Sequence, residues 1–282
     1  MRYPFSNVAI RVAAALAICA TGAVGQEGSR VLSIGGSVTE IVYALGQEDR
    51  LVARDTTSNF PASAEELPDV GYMRALSPEG ILSVDPDLII AEAGSGPVET
   101  IDVMEQANIP FITIPDGFDR EAVGLKIRAV GEALGVSEEG DALAAKIDAE
   151  LANVEVTVDD PLRVLFILSM QGGRVLASGS NTAAEGIIAM AGGVNAITEF
   201  EGYKPLTDEA ITAAAPDVIL MMDREGDHVS ADRDLWGNPA ISTTPAAQNQ
   251  SVVRIDGLLL LGFGPRTPAA VTALHTALYG AD

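Results

Sequence analysis

The 282-residue chain has one cysteine, two histidines, and 17 basic residues against 40 acidic ones. The cysteine, Cys19, lies in an N-terminal stretch that reads as an export leader. Arg2 and Arg11 flank its start, Val12 to Ala20 is an apolar run, and Ala23-Val24-Gly25 sets the small residues that favour cleavage before Gln26. The run is too short to span a bilayer, which takes about 20 apolar residues. Ile18 stands where a lipobox needs a small residue, which argues against a lipid on Cys19. Losing residues 1–25 leaves no cysteine, so disulfides, thiol catalysis and cysteine-metal sites are excluded. It also leaves a formal charge of −25 (17 − 2 − 40). That charge repels nucleic acid and anionic membrane surfaces, and it is equally explained by solubility alone. His228 and His275 are far apart and form no zinc-type pattern. There is no G-x-S-x-G elbow, and Gly35-Gly36 lacks the dinucleotide G-x-G-x-x-G spacing. No nucleophile–base pair is visible, so the chain is not expected to be an enzyme.

What is present is an internal repeat. Gly71-Tyr72-Met73-Arg74-Ala75-Leu76-Ser77-Pro78-Glu79 through Pro86-Asp87-Leu88 is echoed by Gly202-Tyr203-Lys204-Pro205-Leu206-Thr207-Asp208-Glu209 through Pro216-Asp217-Val218. Arg30-Val31-Leu32 is echoed by Arg163-Val164-Leu165. The offsets are 130 to 133 residues (Asp87 to Asp217, Gly71 to Gly202, Arg30 to Arg163). A fixed offset implies two similar lobes, and a cleft between lobes is where a ligand sits.

Within each lobe short aliphatic runs alternate with helical spacing, which predicts α/β lobes with mainly parallel sheets. The strands are expected at Val31–Ile34, Leu51–Arg54, Leu88–Ala91, Phe111–Ile114, Val164–Leu168, Val218–Met222 and Val252–Ile255. Ser37 with Glu40 reads as a capping box for the first helix, and Ser77, Asp119 and Ser137 as further N-caps. The second lobe is expected to repeat the order of the first. Helices from Arg120 to Leu134 and Ser137 to about Val154 lie between the lobes and are poor in the Gly and Ser of a flexible linker. The fold class is therefore two Rossmann-like α/β lobes joined by a long rigid helix. The expected divisions are residues 1–25 (leader), 26–119 (first lobe), 120–158 (helical connection) and 159–282 (second lobe).

Tyr72 and Tyr203 hold equivalent places ahead of short helices, near the cleft. A phenolate is a hard oxygen ligand for ferric iron. A phenol titrates near 10, so a guanidinium such as that of Arg74 favours the anion. An aromatic wall is the other role open to such a tyrosine.

The chain resembles the haem-binding proteins of bacterial haem-uptake ABC transporters, of the periplasmic-binding-protein class with a helical backbone between its lobes. The most specific element is Gly71-Tyr72-Met73-Arg74-Ala75-Leu76-Ser77-Pro78-Glu79-Gly80. Supporting ones are Gly179–Glu185, Ala191–Asn195, Gly202–Leu206 and Leu261-Gly262-Phe263-Gly264-Pro265-Arg266-Thr267-Pro268. The resemblance implies a monomeric periplasmic carrier that takes ferric haem b into the cleft and passes it to an inner-membrane ABC permease and its ATPase. It implies Tyr72 as axial iron ligand, Arg224 near the haem, and Arg74 holding the phenolate or a propionate, with Tyr203 at the pocket. With no histidine between Arg163 and Lys204, the iron is expected to be five-coordinate or to have a weak sixth contact from Met170, which otherwise walls the porphyrin. Glu79 and Glu209 are expected to dock on permease arginines, or only to favour their helix dipoles. Cobalamin or a ferric siderophore is the alternative ligand.

Overall fold

The computed structural model describes residues 28–223 and 228–280, with backbone alone for 228–231. The first lobe runs β1 (Val31–Ile34), α1 (Gly36–Ala44), β2 (Leu51–Arg54), α2 (Pro78–Leu82), β3 (Leu88–Glu92), α3 (Val98–Gln106) and β4 (Phe111–Ile114). Its sheet has the order β2-β1-β3-β4, all parallel. Two helices follow, α4 (Arg120–Ala133) and α5 (Ser137–Val154). The second lobe continues with β5 (Arg163–Gln171), β6 (Arg174–Ser178), α6 (Ala183–Met190), β7 (Val194–Asn195), β8 (Tyr203–Pro205), α7 (Asp208–Ala214) and β9 (Val218–Asp223). It ends with α8 (His228–Gly237), α9 (Pro245–Asn249), β10 (Val252–Asp256), α10 (Gly257–Leu261) and α11 (Thr267–Tyr279).

The repeated sequence pieces have a common physical task. In the first lobe Asp87 accepts from the backbone N of Ser29 and Arg30 at 3.2 and 2.9 Å. The Arg30 guanidinium returns to the carbonyls of Asp85 and Val84. In the second lobe Asp217 accepts from Arg163 N at 2.9 Å, and Arg163 donates to the Ala214 carbonyl at 2.8 Å. Each Pro-Asp turn thus ties the start of its lobe's central strand to the start of the neighbouring strand. The backbone groups at a strand's first residue have no ladder partner of their own, so these side chains satisfy them.

The second lobe departs from the expected copy. Its sheet runs β10-β9-β5-β6-β8, with β7 also beside β5, and β6 is antiparallel to both β5 and β8. The cause is Gly172-Gly173, both at positive φ (57° and 78°), which close a two-residue hairpin between β5 and β6. The expected strand ends at Leu168; the hairpin carries it on to Gln171.

Two expected caps are corrected. Gly35 takes the N-cap position of α1 with no side-chain cap bond, which leaves Ser37 inside the helix and buried. Val136 precedes α5, so Ser137 is its first helical residue. The Ser77 cap on Gly80 N and the Asp119 cap on Ala122 N stand as expected.

One buried apolar cluster crosses the whole molecule. It runs from Val38 and Ile41 of α1 through Ile127 of α4 and Ile147 and Leu151 of α5 to Ile187 of α6 and Leu274 of α11. The helices α4 and α5 approach closely because Gly131 faces Gly140; a Cβ on Gly131 would lie 2.9 Å from the Gly140 Cα. The connection is therefore part of the core, and ligands of parallel α/β folds bind outside the carboxyl ends of the strands.

Candidate functional site

Tyr72 is placed by its neighbours. Gly71 has φ +100° and accepts from Thr56 N, while its own N donates to Asp69. A turn closes from Tyr72 O to Ala75 N at 2.7 Å. Met73 and Leu76 point inward and are 7% and 3% exposed, in the cluster with Val70 and Ile81. That inward pair forces Tyr72 and Arg74 outward, and Tyr72 is 45% exposed. The turn is pinned from behind by Gly96 N on Met73 O, Leu76 N on Gly96 O, and Thr100 Oγ1 on Leu76 O at 2.9 Å. Arg74 Nη1 donates to the Tyr72 hydroxyl at 3.4 Å. This is an exposed phenol on a rigid turn with a cation at its oxygen.

The second lobe supplies Tyr203 through the same Gly-Tyr pair, with Gly202 again at positive φ (+79°). Here the tyrosine lies in a strand, β8, opposite Ser178 of β6. Its ring meets Phe166 edge-on, with centroids 6.3 Å apart. Burial pushes the Tyr203 pKa up; the Ala184 N–H, the Thr182 hydroxyl and the Arg74 charge pull it back, and Asp116 adds to the rise. Arg74 and Asp116 belong to the other side of the cleft, so the structure brings Tyr72, Arg74 and Tyr203 to one space. A phenol held neutral is a hydrogen-bond donor rather than an anionic ligand.

Met170, half-buried near the end of β5, packs on the second-lobe cluster and borders a pocket with Gly172, Asp208, Arg233 and Asn238. No contact joins it to the two tyrosines. Arg224 falls outside the described residues, just beyond Asp223 at the end of β9. Glu79 and Glu209 occupy the same place in α2 and α7. Both are exposed in the first turn, behind the caps of Ser77 on Gly80 N and Thr207 on Ala210 N. His275 and Tyr279 serve packing: His275 Nδ1 lies 3.0 Å from Ala191 O, and Tyr279 donates to Gly192 O at 2.8 Å. Among the described residues no three His, Cys, Asp or Glu side chains converge as a metal-binding group.

The sequence reading missed Lys126. It sits on the buried face of α4 with Val123, Ile127 and Val130 and is fully buried. A lysine in the apolar stripe of a helix was the available signal, since a buried charge requires partners.

Residues 31–258 match the periplasmic binding protein family. The chain belongs to that family. Its members are substrate-binding proteins of ABC transport systems that work outside the cytoplasm, and the chain is not an enzyme. Among solved structures it is similar to the periplasmic haem-binding protein BhuT in complex with two haems (42% identity, 88% of this chain and 97% of that one, TM-score 0.84). It is also similar to the periplasmic haem-binding protein RhuT of Roseiflexus sp. RS-1 in apo form (37% identity, 89% and 98%, TM-score 0.85). A vitamin B12-binding protein of Yersinia pestis is 37% identical over 116 residues, 41% of each chain. No helix among the described residues is long and apolar enough to cross a membrane.

Proposed function

We propose that this periplasmic binding protein carries haem, held between its lobes with the Tyr72 phenolate on ferric iron, to an inner-membrane ABC permease and its ATPase. The observation that carries the reading is the outward phenol of Tyr72 with Arg74 at its oxygen. Haem-binding relatives that align over nearly nine-tenths of the chain support it. Arg74 Nη1 donates to the ligand oxygen at 3.4 Å and sets a positive charge beside it. Burial of the macrocycle's faces supplies most of the affinity, at about 25 cal/mol per Å² of apolar area. The phenolate supplies orientation and preference for the ferric state. Arg224, following β9, and Tyr203 hold the rim, and Met170 walls the porphyrin; Tyr72 is the single protein ligand. Residues 1–25 direct export to the periplasm, lobes 26–119 and 159–282 flank the connection 120–158, and a monomer docks through Glu79 and Glu209.

The vitamin B12-binding relatives favour a second reading, cobalamin carriage, over part of the chain. Separate titrations with hemin and cyanocobalamin, followed by absorbance and calorimetry, divide the two. The account expects saturable hemin binding with a shifted Soret band, and cobalamin binding at least 100-fold weaker. Tight cobalamin binding with no saturable hemin complex would favour the second reading.

A further inference from the structure

The cleft floor carries a polar cluster that the ligand reading does not use. Lys126 Nζ, fully buried, lies 3.2 Å from Glu92 Oε1, 2.8 Å from Asp116 Oδ1 and 3.2 Å from Ser37 Oγ, all of the first-lobe side. The same nitrogen donates to the Gly262 carbonyl of the second lobe at 3.0 Å. Beside it Arg266, at the start of α11, donates from its backbone N to Glu40 Oε1 (3.0 Å) and from Nε to Glu40 Oε2 (2.9 Å). Glu40 is 5% exposed and belongs to α1. The Arg266 guanidinium also lies over the Phe60 ring, 3.5 Å from its centroid. Phe118 and Phe263 meet edge-on nearby, with centroids 5.7 Å apart. The Leu258 side chain packs on bare Gly36 backbone, where a Cβ would lie 2.5 Å from Leu258 Cδ1. This is the place of Leu261–Pro268, a segment to which the proposed function assigns no role.

We propose that Lys126 and Arg266 are positioning residues that fix the width of the cleft, Lys126 as a hub shared by both lobes and Arg266 as a clasp from the second lobe onto Glu40 of the first. The proposal does not depend on which ligand is carried. A lysine bonded to both lobes at once loses a partner whenever they separate, and a buried ammonium stripped of partners is costly. The lobes therefore hold one spacing without a ligand, and Tyr72 and Arg74 face Tyr203 across a preformed gap.

The cluster also has a pH signature. Four carboxylates, Glu40, Glu92, Asp116 and Asp256, face two cations, Lys126 and Arg266. Burial pushes both glutamates above the usual carboxylate range. For Glu92 the Lys126 charge and the Lys126 and Ser37 hydrogen bonds oppose the rise and Asp116 adds to it. For Glu40 the Arg266 charge and hydrogen bonds oppose it and Asp256 adds to it. Raised folded-state values mean that this stabilisation is full below about 4.5 and fades as pH rises through the raised values.

The test uses the full chain without ligand, in a Cys19→Ser background, with spin labels on S83C of α2's end and T212C of α7, both exposed. The interlobe distance distribution is measured by pulsed dipolar spectroscopy, and Tm by thermal unfolding at pH 7. The expected results are one narrow distribution in the parent, broader and longer ones in Lys126→Met and Arg266→Gln, and a Tm loss of about 5–10 °C in Lys126→Met. Glu92→Gln, a neutral isostere that removes one charged partner of Lys126, should also broaden the distribution, and it keeps the test open if Lys126→Met does not fold. Distributions that coincide with the parent's in Lys126→Met, Arg266→Gln and Glu92→Gln would overturn the proposal. Because no ligand is present, failure here leaves the haem reading untouched, and failure of hemin to bind leaves this one untouched.

Discussion

Asp87 and Tyr72 are both repeated residues, yet one ties its lobe together and the other is the proposed ligand to the iron. Asp87 accepts from Ser29 N, Ser29 Oγ and Arg30 N. Partial burial acts to raise its pKa, but these hydrogen bonds outweigh it and hold the carboxyl below its usual 3.8. A lowered value means that its stabilisation is present above about 3.8 and is lost as pH falls through the folded-state pKa. Asp87→Asn should therefore cost about 1 kcal/mol at pH 7, a modest figure because the site is partly exposed. The gap to the parent in urea midpoints should close below pH 3.8; a gap that persists unchanged at pH 3 would contradict this assignment. The Pro-Asp repeat was plain in the sequence, but its task was not. Hydrogen bonds between a turn and a strand start more than 50 residues apart carry no local pattern.

Among the elements, helix starts separate what local rules decide from what packing decides. Asp119 caps α4 by accepting from Ala122 N at 2.8 Å, whereas Ser137, with a similar local pattern, makes no cap bond on α5. Asp119→Ala should cost about 1 kcal/mol, and Ser137→Ala should stay within about 0.5 kcal/mol of the parent. Equal losses in chemical denaturation would show the two positions to be equivalent after all. At α1 the capping-box pattern failed for a tertiary reason: Ser37 donates to Glu92, and Glu40 is held by Arg266. Residues recruited by partners distant in sequence are not free to cap their own helix. The β5–β6 hairpin was missed because the aliphatic run ends at Leu168, although the two glycines at 172 and 173 are a turn signal a few residues on.

For the whole molecule, the repeat and the helical connection foretold two α/β lobes, and the strand positions of the first lobe fell where the aliphatic runs placed them. The outward face of Tyr72 was legible through its Met73 and Leu76 neighbours only once the turn was seen, because a turn has no fixed side-chain period. The polar cluster joining the lobes was not legible, since it unites Glu40, Glu92, Lys126 and Arg266 from four separate elements. The proposed function rests on one oxygen, that of Tyr72. The direct measurement is the optical and EPR spectrum of the hemin complex, compared between the parent and Tyr72→Phe. The account predicts a high-spin ferric spectrum with a phenolate charge-transfer band in the parent, and loss of that band with at least 10-fold weaker binding in Tyr72→Phe. An identical spectrum and affinity in the two proteins would contradict it.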